Sequence, residues 1–461
     1  MNISNKAISI GKGETMKKIN PSQILAFFLF LAVYLPTQAW GFAHYTRVIG
    51  YNAGAMGRGG TSIAIKDEPS NVNFNPALIS EIENSALDVN LLLIFPNFHF
   101  KYDGTDNKRY TSIDKDRVAL GPGISYAHNN VDSPWSWGLT FSAPDAIATD
   151  YTILSKNFGP VNAFSEYMHL RIGPVVGYQI TPNLSIGARF HLDYNSLDFR
   201  MPMGAVNLNL GQSDGYGFSG GIGLLYKPYK TLSVGVYYES QSLMQDLETR
   251  NKDASLQIMT PGGLKNYTSM DAYVNKADFP QNFGIGVAYS PSQTWRLSSD
   301  IRYFNWKKNW EEMEIEFKGG GAVDMAADGV PTKIKIPVNA DNQMVISLGL
   351  DYYLTEKFSL AMGYCYGDDA TSPNYLFPLI PATMEHTVTT GFSYMPENNV
   401  KLGCAFIYGF FNDPKASGHH GYDQSLEEQL GLPPGALNSE LNNSEANYTV
   451  YNVQLSVTVF W

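Results

Sequence analysis

The end of the chain alternates apolar and polar side chains without interruption. One set of positions carries Tyr451, Val453, Leu455, Val457, Val459 and Trp461. The positions between them carry Asn452, Gln454, Ser456 and Thr458. Because successive side chains of a strand point to opposite faces, this pattern predicts a β-strand with one apolar and one polar face. The chain also ends on an aromatic residue, which resembles the terminal signature of bacterial outer-membrane barrels.

The same alternation recurs at residues 184–194, 232–239, 346–352 and 358–367. The polar positions of these segments include the charged residues Arg189, Asp193, Glu239 and Asp351. A charge facing lipid is costly, so the apolar positions are predicted to face outward and the polar ones inward. The runs are comparable to the tilted strands of about 9–11 residues that cross a membrane.

Turn signals separate these runs in two different ways. Short segments with Pro or Asn stand at 181–183, 227–229, 290–292 and 395–399, and longer polar stretches at 251–272, 318–340, 368–382 and 412–444. Short turns at one end and long loops at the other are typical of a transmembrane β-barrel. The chain is therefore predicted to be all-β, an antiparallel barrel of about 14 strands over residues 85–461. One helical turn is expected at Glu427–Leu432.

Composition and charge exclude several other classes. Aromatic residues make up 13% of the chain, yet the mean hydropathy is −0.19, which fits an alternating barrel wall better than a bundle of apolar helices. The formal net charge of −11 argues against a nucleic-acid partner. Cys365 is expected to face inward and Cys404 to face lipid, so no disulfide between them and no Cys-rich metal site is predicted.

The N-terminus has the features of a secretory signal over residues 1–41. Lys17 and Lys18 precede an apolar stretch at 24–35, and small residues follow it. Translation is expected to start at Met16. Cleavage is predicted after Gly41, with cleavage after Ala39 as the alternative. The mature protein is thus expected to be exported to the bacterial outer membrane.

Residues 42–84 do not alternate and are predicted to form a separate N-terminal plug, or hatch, inside the barrel. The segment is too apolar for a disordered tail, and its small residues allow close packing. Its candidate residues are Gly57, Arg58, Asp67, Asn71, Asn75, Pro76 and Ala77. In order and spacing, these motifs resemble the hatch of the FadL/TodX family of outer-membrane transporters. The resemblance extends from Phe42 to Trp461.

The resemblance implies a function and a route. Members of that family carry long-chain fatty acids or aromatic hydrocarbons, which makes such molecules the expected partners of this chain, together with outer-membrane lipid. The resemblance also implies a 14-stranded barrel, a monomer, and a kinked third strand that opens the wall sideways. Here the candidate opening is Ala143, Pro144 and Asp145, because proline cannot donate a hydrogen bond to a neighbouring strand. The alternative is a tolerated bulge or the start of a loop.

Several further predictions depend on single residues. Arg189 and His191 are candidates to bind a carboxylate head group, although pairing with Asp193 or other inward groups is the alternative. A general polar porin and a barrel lipid hydrolase are the competing classes. The Gly-x-Ser-x-Gly motif at 217–221 lies in a Gly-rich strand rather than a strand–turn–helix, so no enzyme is predicted. No metal and no cofactor are expected.

Overall fold

The computed structural model describes residues 46–104, 108–114, 118–130, 132–260, 262–275, 277–376, 379, 384–410, 416 and 420–461. The predicted signal segment, with both cleavage candidates, lies outside these residues, as do residues 42–45. Within the described ranges, fourteen antiparallel strands form one barrel wall. They are β1 (Ser85–Asp103), β2 (Ala119–Asn129), β3 (Trp135–Ser155), β4 (Gly159–Thr181), β5 (Leu184–Met203), β6 (Val206–Tyr229), β7 (Leu232–Glu239), β8 (Asn282–Tyr289), β9 (Trp295–Phe304), β10 (Gln343–Thr355), β11 (Phe358–Gly367), β12 (His386–Glu397), β13 (Val400–Phe410) and β14 (Glu445–Phe460).

The wall closes on itself. Strand β1 pairs with β14 from Ala86 opposite Phe460 to Lys101 opposite Glu445. Closure leaves no free sheet edge, which a lipid environment requires because no water is available there to pair exposed backbone groups. The prediction of an antiparallel β-barrel is confirmed. No helix in the described part of the chain is long and apolar enough to cross a membrane.

The two faces of the wall are those that the alternation predicts. In β5, Phe190 and Leu192 are exposed on the outside, whereas Arg189, His191 and Asp193 are buried on the inside. Both cysteines are free, with Cys365 buried inside and Cys404 on the same outward face as the exposed Leu402 and Phe406.

The connections at one end are short and those at the other are long. Residues 182–183, 230–231, 356–357 and 398–399 form tight turns. The polar stretches 251–272 and 318–340 were predicted as loops, and this is wrong in part. They contain strand, because their inward-facing side chains, such as Leu256 and Ile258, pack into the interior while the intervening polar ones face out. The additional strands are Arg109–Ile113, Leu243–Met244, Leu247–Thr249, Ala254–Thr260, Gly263–Asn275, Glu312–Lys318 and Lys333–Pro337.

Helices are short and few within the described residues. The α-helices are α1 (Ala53–Gly57), α2 (Trp306–Asn309), α3 (Gly321–Ala327) and α4 (Gly421–Leu430). The 3₁₀ helices are Pro69–Asn73, Pro76–Glu81 and Pro373–Tyr375. Helix α4 begins earlier than the predicted turn at Glu427–Leu432, because the His420 side chain accepts a hydrogen bond from the Tyr422 N–H. Gly431 ends the helix in the left-handed conformation.

Residues 46–84, which we call the hatch segment, pack against the inner face of the wall on both sides. Helix α1 lies against inward glycines of β12 and β13, and the 3₁₀ helix Pro76–Glu81 lies against β4, β5 and β6. The closest approach to hatch backbone is at Gly363, where a Cβ atom would stand 2.0 Å from the backbone nitrogen of Gly59. Backbone thus meets backbone, and any side chain would separate them.

We expect Gly363→Ala to destabilise the folded protein by about 1–3 kcal/mol, because the added methyl group forces the hatch segment away from β11. The measurement is the temperature at which the protein loses its folded mobility on a semi-native gel. Gly123→Ala is the matched control, since a Cβ there has its nearest neighbour at 3.6 Å. Equal stability of the two variants would contradict tight packing at Gly363.

Candidate functional site

Three asparagines fold the hatch segment onto itself. The Asn52 side chain accepts from the Ala55 N–H at 2.7 Å and donates to Asn71 at 2.8 Å. Asn71 donates to the Ile65 carbonyl at 2.9 Å. Asn75 donates both to the Ile63 carbonyl and to the Leu224 carbonyl of β6, at 2.8 and 3.1 Å. The segment therefore has a defined internal structure that is also attached to the wall.

Asn75 also begins the 3₁₀ helix that follows it. Its side chain accepts from the Ala77 N–H at 3.1 Å, and Pro76 occupies the first helical position. Proline fits there because its fixed φ suits a helix start and no N–H is needed. Ala77 is completely buried. Gly57 lies at the close contact with β12, where its carbonyl accepts from Thr389 at 2.8 Å.

A network of ion pairs, which we call the floor cluster, joins the hatch segment to the wall at the end with the short turns. Arg58 contacts Glu68 of the same segment and Asp351 of β10, each at 3.3 Å. Asp67 pairs with Arg296 of β9, and Glu68 pairs with Lys401 of β13. Arg58 and Asp67, which the sequence predicts as hatch residues, thus lie in one network. The hatch motif does not predict their four partners in it, which are Glu68, Arg296, Asp351 and Lys401.

Two acidic members of the floor cluster, Asp67 and Glu68, are held ionised. Burial alone would raise the pKa of Asp67, but Arg296, Lys401 and Arg58 outweigh burial and lower it well below its usual range. Burial is likewise outweighed at Glu68, where Lys401 and Arg58 lower the pKa. A lowered carboxyl pKa stabilises the folded state above the pKa of the unfolded chain, and that contribution is lost as the pH falls.

The wall is split between β2 and β3 over part of its height. Their pairing runs from Asn129 opposite Ser136 to Gly123 opposite Ser142 and then stops, although β3 continues to Ser155. We call this separation the side gap. Pro144 lies two residues beyond the last pair. On its other edge β3 has a bulge, since pairing with β4 is interrupted between Ser142 and Asp145.

The hatch segment supplies the hydrogen bonds that β2 does not. The Val48 N–H donates to the Pro144 carbonyl at 2.9 Å, and the Ala146 N–H donates to the Thr46 carbonyl at 3.1 Å. Asp145 receives the Arg47 side chain at 2.8 Å. A small cavity lies beside these contacts, lined by Val48, Tyr51, Pro122, Phe141, Ala143 and further residues of β1 and β2. Ala143, Pro144 and Asp145 are therefore together at the side gap, and a stretch of hatch backbone stands behind them.

Beside the gap, a single buried glutamate accepts from three arginines. Glu239 of β7 contacts Arg47 of the hatch segment and Arg171 of β4, each at 3.0 Å, and pairs with Arg189 of β5. Arg189 also donates to the carbonyls of Val72 and Phe74, at 3.0 and 2.6 Å. We call this arrangement the Glu239 hub.

The two head-group candidates differ in their surroundings. The terminal nitrogens of Arg189 donate to Glu239 and to hatch carbonyls. This arrangement fits the alternative to head-group binding, in which Arg189 pairs with other inward-facing groups. His191 lies 3.4 Å from Thr140 Oγ1, and the structure places it in the same buried wall region. A role of either residue in ligand binding stays a prediction.

Above the Glu239 hub, towards the long connections, the interior is apolar. Ile147 and Tyr151 of β3 face it, together with Phe199 and Met201 of β5. Helix α4 contributes Leu426. A hydrophobic molecule would therefore meet an apolar environment before it met the charges of the hub.

The Gly-x-Ser-x-Gly motif lies in the middle of β6. Ser219 stands opposite His191 in the strand register, but no hydrogen bond joins the two side chains. A nucleophilic serine needs a base within hydrogen-bond reach and a sharp turn that presents it. Among the residues that the structure describes, no group of three His, Cys, Asp or Glu side chains is arranged to hold a metal ion.

The geometry defines a class: a closed membrane-type β-barrel whose interior is occupied by its own N-terminal segment. A family model described as "Outer membrane protein transport protein (OMPP1/FadL/TodX)" matches residues 32–430. The chain belongs to this family, and its transport function across the outer membrane follows from that membership.

Relatives and solved structures support the same assignment. A long-chain fatty acid transport protein of Salmonella typhi is 19% identical over 81% of this chain and 89% of its own length. The toluene transporter TodX of P. putida has a TM-score of 0.70 at 19% identity, covering 89% of this chain and 99% of TodX. A FadL homologue of Pseudomonas aeruginosa has a TM-score of 0.68 at 13% identity, covering 91% and 99%. The structural likenesses establish the shared barrel fold.

We expect Glu68→Gln to loosen the hatch segment, because Arg58 and Lys401 lose a carboxylate partner. Breaking a buried ion pair on one side typically costs about 3–5 kcal/mol. The measurement is ion conductance of the reconstituted protein in a planar bilayer at neutral pH, which should rise above that of the unchanged chain. The unchanged chain should show a similar rise only at a pH well below the usual carboxyl range, because the pKa values of Asp67 and Glu68 are lowered.

Glu356→Gln is the matched control for this change. Glu356 is exposed in the short turn between β10 and β11. The conductance of the Glu356→Gln variant should therefore equal that of the unchanged chain. If Glu68→Gln conducted no more than Glu356→Gln, the floor cluster would not hold the hatch segment in place.

Proposed function

We propose that this protein lets long-chain fatty acids or hydrocarbons cross the outer membrane by passive diffusion and releases them sideways through the side gap. The observation that carries the proposal is the interrupted pairing between β2 and β3, filled by hatch backbone rather than by wall. A ligand at this point has a short path from the interior to lipid. The relatives and solved structures include a long-chain fatty acid transport protein and a toluene transporter, which supports both substrate classes.

The interior favours an apolar substrate over a polar solute. A molecule that enters from the end with the long connections first meets buried apolar side chains, and below them the hub and the hatch segment. A polar porin would instead need an open channel lined with polar groups. We further propose that the hatch comprises residues 42–84, that Gly57, Arg58, Asp67, Asn71, Asn75, Pro76 and Ala77 maintain its closed form, and that Ala143–Asp145 form the exit.

The mature protein, on this proposal, is a monomer that reaches the outer membrane after removal of residues 1–41. Exposed aromatic side chains on its outer face near the short turns, including Trp135, Tyr229 and Trp295, suit an interfacial zone of a bilayer. The family's members are transport proteins, and Ser219 and His191 share no hydrogen bond that would support hydrolysis.

The substrate can be identified by extraction. Protein purified in mild detergent from cells grown with both an oleate-type fatty acid and toluene should carry one of them, as measured by mass spectrometry. Asn75→Ala removes the side-chain bonds to Ile63, Ala77 and Leu224, so this variant should retain less ligand. A native sample with no hydrophobic ligand and free ion conductance would show that the chain is a porin.

The side gap can be tested by filling it. Ala143→Phe places a ring in the cavity between β2 and β3, and we expect uptake of the identified ligand by whole cells to fall several-fold. Ala188→Leu, which enlarges an exposed residue on the outer face of β5, is the matched control and should transport normally. Both variants must first show the folded, heat-modifiable form on a gel. Unchanged uptake through Ala143→Phe would exclude the lateral exit.

A further inference from the structure

His169 of β4 lies between two buried carboxylates. Its Nδ1 is 3.0 Å from Asp145 Oδ2 and its Nε2 is 2.9 Å from Asp193 Oδ1. The three side chains are at most 2% exposed. The ring is also stacked on Phe279, with 4.0 Å between the ring centroids. The histidine is therefore fixed in position and orientation, with both ring nitrogens aimed at acceptors.

This geometry requires a proton. An ionised carboxylate only accepts hydrogen bonds, and a neutral imidazole carries a single N–H. Only the doubly protonated ring donates to Asp145 and Asp193 at once. Loss of the proton leaves a lone pair of the ring facing a lone pair of one carboxylate. It also leaves Asp193, whose recorded ionic partner within the described residues is His169, as a buried uncompensated charge, which is costly.

The arginines near His169 are already paired with carboxylates. Arg47 and Arg171 contact Glu239, and Arg47 also contacts Asp145. The groups that face His169 from the surrounding elements are Arg47 of the hatch segment, Asp145 of β3, Tyr167 and Arg171 of β4, His191 and Asp193 of β5, Glu239 of β7 and Asp278 of the β7–β8 connection.

Asp145 links the histidine to the hatch segment. The same carboxylate accepts from the Arg47 side chain and from Thr46 Oγ1, and its backbone neighbours pair with Thr46 and Val48. Whatever fixes the Asp145 side chain therefore also fixes the stretch of hatch backbone that fills the side gap. His169 acts on the gap through Asp145.

We propose that His169 is a positioning residue that, in its protonated form, clamps Asp145 and so holds Thr46–Val48 against β3, and that loss of this proton loosens the hatch at the side gap. This proposal rests on the proposed function only because it takes the side gap as the exit. Histidine is the side chain that ordinarily changes charge between about pH 5 and pH 8. A clamp of this kind makes the closed state depend on pH.

The test measures how accessible the hatch backbone is beside the gap. Val48→Cys introduces a thiol at a position only 3% exposed, and Ser80→Cys introduces one elsewhere in the same segment, where the native hydroxyl has no recorded partner. A water-soluble maleimide labels each variant of the full-length protein in detergent. The ratio of the two rates, from about pH 6 to about pH 9, cancels the intrinsic pH dependence of the thiol. The chain without either substitution gives the background from Cys365 and Cys404.

Three results are expected. With His169 present, the ratio rises with pH, by up to about tenfold per pH unit for a one-proton step. With His169→Gln, which cannot donate in both directions, the ratio is high throughout. With Asp193→Asn, a neutral histidine can donate to Asp145 and accept from the new amide, so the ratio stays low throughout.

Other results would overturn the proposal. A flat ratio in the chain with native His169, a His169→Gln variant that follows the native profile, or a high ratio in Asp193→Asn would each do so. His386→Gln, on the outer face of β12, is the histidine control and should leave the profile unchanged. The assay uses no transported ligand. Normal uptake by Ala143→Phe would therefore refute the lateral exit without affecting the clamp, and a flat ratio would refute the clamp alone.

Discussion

The structure depends on one constraint: backbone groups at membrane depth need partners inside the protein. In thirteen pairs of neighbouring strands, the two strands are paired along much of their length, which meets this requirement. In the remaining pair, β3 is not paired with β2 beyond Ser142. The hatch segment then becomes a structural partner of the wall, since Thr46 and Val48 complete the hydrogen bonding of β3. A plug that only blocked the lumen would have no reason to adopt extended backbone at this place. The wall and the hatch segment are therefore interdependent at the place where we propose the exit.

The hatch is attached largely through polar contacts. The floor cluster and the Glu239 hub join it to the wall through arginine, lysine and carboxylate groups, and asparagine amides supplement them. Ion pairs of this type gain little net energy over apolar packing, but they fix one arrangement and are costly to break from one side only. They also respond to protons, which apolar packing does not. A segment that must stay closed and still be displaced is well served by such contacts.

Much of the wall could be predicted from the sequence, whereas the interior network could not. Alternation placed Arg189, Asp193 and Asp351 inside because a period of two assigns every residue of a strand to one face. It could not reveal that Arg47 meets Asp145 and Glu239, which lie 98 and 192 residues away along the chain. Pro144 marked an irregular strand, and the structure shows both a bulge on one edge and lost pairing on the other. The strands in the long connections were missed because their outward residues face water rather than lipid, which hides the apolar face.

The height of the side gap in the wall supports the proposed lateral release. Asp145 is paired in register with His169, and Ser142 with Arg171, so the gap and the charged hub stand at the same level. A hydrophobic molecule that descends through the apolar interior reaches buried arginines and carboxylates at this point. Further descent would separate ion pairs and place apolar surface among them, whereas a sideways step leads to lipid. The charges below the ligand and the missing wall beside it thus favour the same direction of movement, and displacement of the short hatch stretch at Thr46–Val48 is the step that this movement requires.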